Sequence, residues 1–244
     1  MTTSSNTNLL SSNWSGAVIP ATAGKSLATV SAQWVVPTVS QVPAAGQSFT
    51  DVAEWVGLDG YTSSDVCQAG VLETVQTTQG GNTTVSCSAW DEWSPAAMNT
   101  ISSSELTINP GDTVRVTVET VGKDSTSAAF LFDDVTTGHT YQTGLTASSV
   151  TSLQGDSAEF VVETPEWRYG NMPFQPSLAD FVPSPITFQQ ASATYTDDSS
   201  ASLSGGLTIG MVSNTGPGFP VEDAYGSIQA NTAVTVTENP YWLY

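Results

Sequence analysis

The chain has 244 residues, with 23 Asp or Glu against 4 Lys or Arg and 1 His, for a net charge of −19 and a pI near 4.1. Four cations scattered along it, Lys25, Arg115, Lys123 and Arg168, cannot form the basic groove that a nucleic acid needs. An anionic membrane surface would repel it, and no apolar run approaches the roughly 20 residues that span a bilayer. At low pH the carboxylates lose their charge and few cations remain to repel one another, so the composition suits a protein that stays folded in acid.

The N-terminal MTTSSNTNLLSS has neither the basic start nor the apolar stretch of a signal peptide, so for a secreted protein the numbering is expected to begin at a mature or engineered start. Length and pattern are those of one domain over 1–244. Short runs rich in Val, Thr and other strand formers follow at 27–36, 50–58, 70–77, 83–93, 113–119, 127–133, 157–163, 185–195, 206–213 and 227–237. The clearest is 113–119, where Val114, Val116 and Val118 alternate with polar residues after the turn signal Pro110-Gly111-Asp112. The Pro- and aromatic-rich stretch 164–184 reads as a long ordered loop beside a site. Many short strands about ten residues apart predict an all-β fold, an antiparallel sandwich or barrel. Cys67 and Cys87 allow two buried thiols or one disulfide.

Only His139 is available for histidine chemistry, and it sits in a Thr-Gly-His-Thr turn without a GxSxG elbow. Two- or three-histidine zinc sites are excluded. Asp133-Asp134 and Asp197-Asp198 are pairs that calcium could use, although adjacent loop acids are usually just solvated. What remains is carboxylate, amide and hydroxyl chemistry: glycoside hydrolysis or acid-type peptide hydrolysis. In an extended strand Trp90, Glu92 and Ser94 share one face, and so do Glu159, Val161 and Glu163.

Four stretches taken in order resemble the glutamic peptidases, or eqolisins. They are Asn13-Trp14-Ser15-Gly16-Ala17, Trp55-Val56-Gly57-Leu58-Asp59-Gly60, Ala89-Trp90-Asp91-Glu92-Trp93-Ser94-Pro95 and Ala158-Glu159-Phe160-Val161-Val162-Glu163. The resemblance implies a two-sheet antiparallel β-sandwich similar to the concanavalin-type jelly roll. It also implies a secreted, monomeric endopeptidase acting on proteins or peptides in acid, insensitive to pepstatin and needing no metal or other cofactor. Its catalytic pair is a Gln and a Glu. Glu159 matches the Glu directly.

For the Gln, Gly60-Tyr61-Thr62-Ser63-Ser64-Asp65-Val66-Cys67-Gln68-Ala69-Gly70 aligns without a gap with the form similar to prokaryotic-type members and selects Gln68; laying the cysteines on the fungal form selects Glu73 instead. Asp91 and Ser94 stand where the family usually has Tyr. Trp55, Asp59, Trp90 and Glu92 are the candidates for the substrate-binding wall and the neighbours of the pair. Two rival readings stay open: a jelly-roll glycosidase using Glu92 and Glu159, for which no ExDxxE arrangement is present, and a carbohydrate-binding module using Trp55 and Trp90 as stacking platforms.

Overall fold

Residues that alternate between β-branched apolar and polar side chains bury one face of a strand and wet the other. The computed structural model describes residues 9–40, 49–78, 80–147, 152–169, 172–181, 185–213 and 221–238. Its strands in chain order are β1 (Leu9–Ser11), β2 (Trp14–Pro20), β3 (Leu27–Val35), β4 (Phe49–Leu58), β5 (Val66–Thr77), β6 (Thr83–Ser94), β7 (Asn99–Thr100), β8 (Thr113–Glu119) and β9 (Ser127–Asp134). There follow β10 (His139–Thr146), β11 (Ser157–Glu163), β12 (Trp167–Tyr169), β13 (Met172–Phe174), β14 (Ile186–Tyr195), β15 (Ser200–Ala201), β16 (Leu207–Ser213), β17 (Val221–Gln229) and β18 (Ala233–Glu238).

They make a two-sheet sandwich. One layer runs β10-β9-β8-β3-β14 and the other β18-β17-β16-β2-β11-β4-β5-β6-β7. Strand β14 joins them: Ile186–Phe188 pair with β18, while Gln189–Tyr195 pair with β3 across an irregularity at which Gln190 takes φ 51. Such a bulge bends a strand from one sheet to the other. The ladders are antiparallel, apart from short β1, which runs parallel to β16. Between the layers lie Trp34, Phe130, Phe160 and Phe188, all fully buried, with the Trp34 and Phe188 ring centroids 5.2 Å apart. Val114, Val116 and Val118 face this core, as their alternation predicts.

Two expectations change, and one open alternative is decided. The run 227–237 is two strands, because Ala230 turns the chain at φ 56 between β17 and β18. The stretch 164–184 contains a small hairpin of its own, β12–β13. Cys67 and Cys87 are free thiols. In the β5–β6 ladder Cys67 sits opposite Trp93 and Cys87 opposite Glu73; six residues of register put them about 20 Å apart, far outside disulfide reach.

Strands β4 and β11 are buried on both faces almost throughout, because a second, smaller apolar cluster around Trp55, Trp90 and Val161 covers the face turned away from the main core. Gly70 makes this possible. A β-carbon there would lie 2.0 Å from the Glu54 carbonyl oxygen and 2.6 Å from Trp55 Cβ. Gly70→Ala should therefore cost about 3 kcal/mol or more, as overpacking against backbone does. Gly205→Ala, where nothing lies within 4 Å, should change stability by less than about 0.5 kcal/mol. Thermal denaturation of both at pH 4 checks the difference.

Candidate functional site

Strand register decides which distant side chains meet. Across β11, β4, β5 and β6, Glu159 lies opposite Gly57, Gly57 opposite Gln68, and Gln68 opposite Glu92. Directly opposed residues share a face, so Glu159, Gln68 and Glu92 project together from the side away from the main core. Gly57 contributes no side chain between them. Strand spacing sets the Glu159 and Gln68 Cα atoms about 10 Å apart, a span over which a carboxylate and a carboxamide can reach one small molecule from both sides.

Gln68 is almost wholly buried, and its Nε2 donates to Glu92 Oε2 at 2.7 Å while its Oε1 has no partner among the described residues. Burial raises the pKa of Glu92, and the bond from Gln68 offsets part of the rise. Glu159 is 0% exposed. Among the described residues neither of its carboxyl oxygens has a hydrogen-bond partner, and burial pushes its pKa well above the usual carboxylate range. The nearby Ser157 hydroxyl eases that rise although its own hydrogen bond goes to Asp156, and the charges of Asp59 and Asp156 add to it.

Further along the same face, Trp55 Nε1 donates to Glu163 Oε2 and Asn13 Nδ2 to Glu163 Oε1, each at 2.8 Å. Glu163 keeps some contact with solvent, yet burial lifts its pKa to about 7; the bonds from Trp55 and Trp14 lower it, Glu92 raises it and Asn13 lowers it. The Trp14 ring stands edge-on to Trp55 at 4.9 Å and 80°. After β4 the chain doubles back through Asp59 (φ 64) and Gly60 (φ 109). It comes so close that a β-carbon on Gly60 would lie 3.0 Å from Val66 Cβ and 3.1 Å from Trp14 Cη2. Trp14 and Gly60 thus meet above the sheet face. A cavity of about 600 Å³ opens beside them, walled among others by Gln68, Trp90, Glu92, Met98, Glu163 and Trp167. Trp167 is fixed by its Nε1 donating to Asp51 Oδ2 at 2.6 Å.

Of the residues singled out from sequence, Gln68, Trp90 and Glu92 line this cavity. Glu159 is in the same row but enclosed. Trp55, 0% exposed, lies beneath the wall and Trp90 is 1% exposed, so neither ring offers an open stacking platform for a sugar. Asp59 is not in the cavity. Its carboxylate accepts the backbone N–H groups of Gln154, Gly155 and Asp156 at 2.5, 3.1 and 2.8 Å, so it ties that loop to the end of β4 instead of facing a substrate.

Glu73 points the opposite way from Gln68, into the main core, where it is 0% exposed beside Cys87. Asn13, Trp14, Glu163 and Trp167 were not singled out. The first three fall inside the quoted motifs, and Glu163 shares a face with Glu159, which was the signal available. The paired acids serve turns: Asp134 accepts the backbone N–H groups of Thr136 and Thr137, and Asp197 pairs with Lys25 at 3.0 Å. Among the described residues no group of three or more His, Cys, Asp or Glu is arranged to hold a metal ion.

An all-β sandwich that carries a carboxyl–carboxamide row in a walled cleft is the class this geometry defines. The chain belongs to the Peptidase A4 family, whose profile matches residues 12–238. It is 34% identical over 195 residues to Scytalidopepsin B of Scytalidium lignicola, covering 79% of this chain and 66% of that protein. It is 30% identical over 215 residues to Aspergillopepsin-2 of Aspergillus niger, covering 82% and 67%. The chain thus spans about two thirds of the length of these curated relatives. A solved scytalido-glutamic peptidase with a transition state analog inhibitor matches its fold with a TM-score of 0.74 and 28% identity, over 93% of this chain and 98% of that one.

Proposed function

We propose that this chain is an acid endopeptidase in which Gln68 and Glu159 hydrolyse a peptide bond through one water molecule. The observation that supports it most is the row Glu159–Gly57–Gln68 on the cleft side of the sheet. The same parity supports the prokaryotic-type register, since Glu73 faces the core.

In this reading Glu159, as carboxylate, takes a proton from a water lying over Gly57, and the water oxygen attacks the scissile carbonyl carbon. Gln68 Nε2 carries two hydrogens. Glu92 engages one, which leaves the other for the developing oxyanion, a donor role worth about 3–4 kcal/mol in comparable sites. Gln68 Oε1, without a partner among the described residues, can accept from the water. As the C–N bond breaks, Glu159 returns its proton to the leaving nitrogen. An amide suits this post because it donates at every pH, whereas a second carboxylate would compete for the proton. Glu92 and, through Trp55, Glu163 hold the face in place. No step calls for a metal or cofactor.

Burial is the largest cause of the raised Glu159 pKa, so contact with the incoming water must bring it back toward the ordinary range before it can act as base. Parting Trp14 from Gly60 is the motion that admits that water. The scarcity of cations, four in the chain, supports action outside the cell in an acidic medium; a monomer is sufficient, since every residue of this reading lies on one chain. Incubation with a denatured protein at pH 3 and pH 7, with pepstatin present, tests the reading. Cleavage confined to acid and indifferent to pepstatin is expected. Cleavage only at pH 7, or its loss with pepstatin, overturns it.

A further inference from the structure

A second cavity, of about 390 Å³, lies on the other side of Trp14 from the one that contains Gln68. Asn13 and Trp14 are walls of both. The smaller cavity is otherwise bounded by Leu9, Leu10, Tyr61 and Ile209, with Ser11 and Gly60 completing it. Two of its polar side chains are already engaged: Ser11 Oγ donates to Asn13 Oδ1 and accepts from the Trp14 N–H, and Asn13 Nδ2 is bound to Glu163. Leu9, Leu10, Ile209 and the Tyr61 ring give it an apolar side. Leu10 is 65% exposed and Tyr61 37%, so two of its walls reach the surface. Among the described residues β1 pairs with β16 alone, and an extended peptide added along its other edge would be held in the usual way in which a strand edge takes up a ligand.

We infer that this second cavity is a substrate subsite that takes an apolar side chain of the polypeptide being cleaved, on the far side of Trp14 from the carboxamide of Gln68. The inference rests on the peptidase reading for its occupant. An extended peptide presents alternate side chains to one surface about every 6–7 Å. A chain that parts Trp14 from Gly60 and lies along the sheet face therefore presents one side chain to each cavity, with the scissile bond between them above Glu159. The walls select Leu, Ile, Met or Phe over Ala or a charged residue, because only an apolar group gains from leaving water there.

The test uses a peptide library and octapeptides with Leu placed at each position in turn on an Ala/Gly background. At pH 3.5 the wild-type protein should prefer Leu over Ala by about tenfold at one position flanking the cut. Leu10→Ser with Tyr61→Ser, both at exposed positions, should erase that single preference and leave kcat/KM on the all-Ala peptide within about twofold. The same octapeptides titrated calorimetrically into Glu159→Gln, with and without Leu10→Ser, report binding without cleavage. One Leu-bearing peptide should bind about tenfold tighter, and only while Leu10 is present. If the wild type cleaves and the double variant keeps every positional preference, the subsite is wrong and the dyad stands. If no peptide is cleaved, the dyad reading falls and calorimetry alone decides the cavity. An unchanged profile with an altered sedimentation coefficient would assign the cavity to a second copy of the chain and overturn the inference.

Discussion

Glu159→Gln should lower kcat on a denatured protein at pH 3–4 by about two to four orders of magnitude, the usual contribution of a positioned general base. The amide is nearly isosteric with the carboxyl group, and it removes an ionisable group from a site that is 0% exposed, so the variant should be at least as stable as the wild type at neutral pH. That combination separates a chemical role from a structural one. Gln68→Ala should cost about 10²–10³ in kcat, as loss of an oxyanion donor does. Glu73→Gln should leave kcat within a few-fold, because Glu73 lies on the opposite face of β5. Steady-state kinetics on the three variants are sufficient. A Glu159→Gln variant with near-normal kcat sinks the mechanism, and a selective loss in Glu73→Gln moves the pair to the other register.

The second large effect is on stability. Glu54 and Glu73 are diagonal neighbours on the core face of β4 and β5, both 0% exposed. Among the described residues neither Glu54 oxygen nor Glu73 Oε2 finds a donor while both acids are ionised; a proton on one lets it bond the other. Burial and then the charge of Glu73 push the pKa of Glu54 well up; burial pushes that of Glu73 from an ordinary 4.5 to about 8.

An acid whose pKa is higher in the folded state binds more protons folded than unfolded. Its stabilisation is complete below the unfolded value and is lost as pH rises through the folded one. For Glu73 alone that is on the order of 4–5 kcal/mol between pH 4.5 and 8, or about 10–20 °C in Tm for a chain of this size. The thermal midpoint should therefore peak in acid and fall toward pH 8. Glu73→Gln, neutral at every pH, should recover the Glu73 share of the loss at pH 8, while exposed Glu105→Gln should recover almost none for the same change in net charge. A flat Tm profile between pH 4 and 8 would refute this account.

The sandwich was legible wherever one strand face meets water. The alternation in 113–119 and the turns around it are local facts, and β8 emerged where they placed it. Strands β4 and β11 gave a weaker signal because both their faces are covered. The turn at Ala230 gave none, since it uses neither Gly nor Pro. The site was half legible. Gln68, Trp90 and Glu92 reach one cavity, but the row that joins Gln68 to Glu159 is a matter of register between strands distant in the chain, which no local pattern encodes. Asp59 shows the converse limit: an acid before a glycine at a strand end looks like a cleft residue until the amides of 154–156 arrive from elsewhere to bind it.

The bare position at Gly57 has one more consequence. Because the Glu and the Gln stand on either side of a single intervening strand, their separation is counted in whole ladder steps and not adjusted by side-chain choice. A slip of β5 by one residue would put Cys67 or Ala69 opposite Gly57, turn Gln68 into the apolar interior and bring Glu73 out to the cleft face opposite Asp51 or Ala53. Errors of assembly in this sheet are thus all-or-none, and a misregistered molecule would be inert instead of impaired.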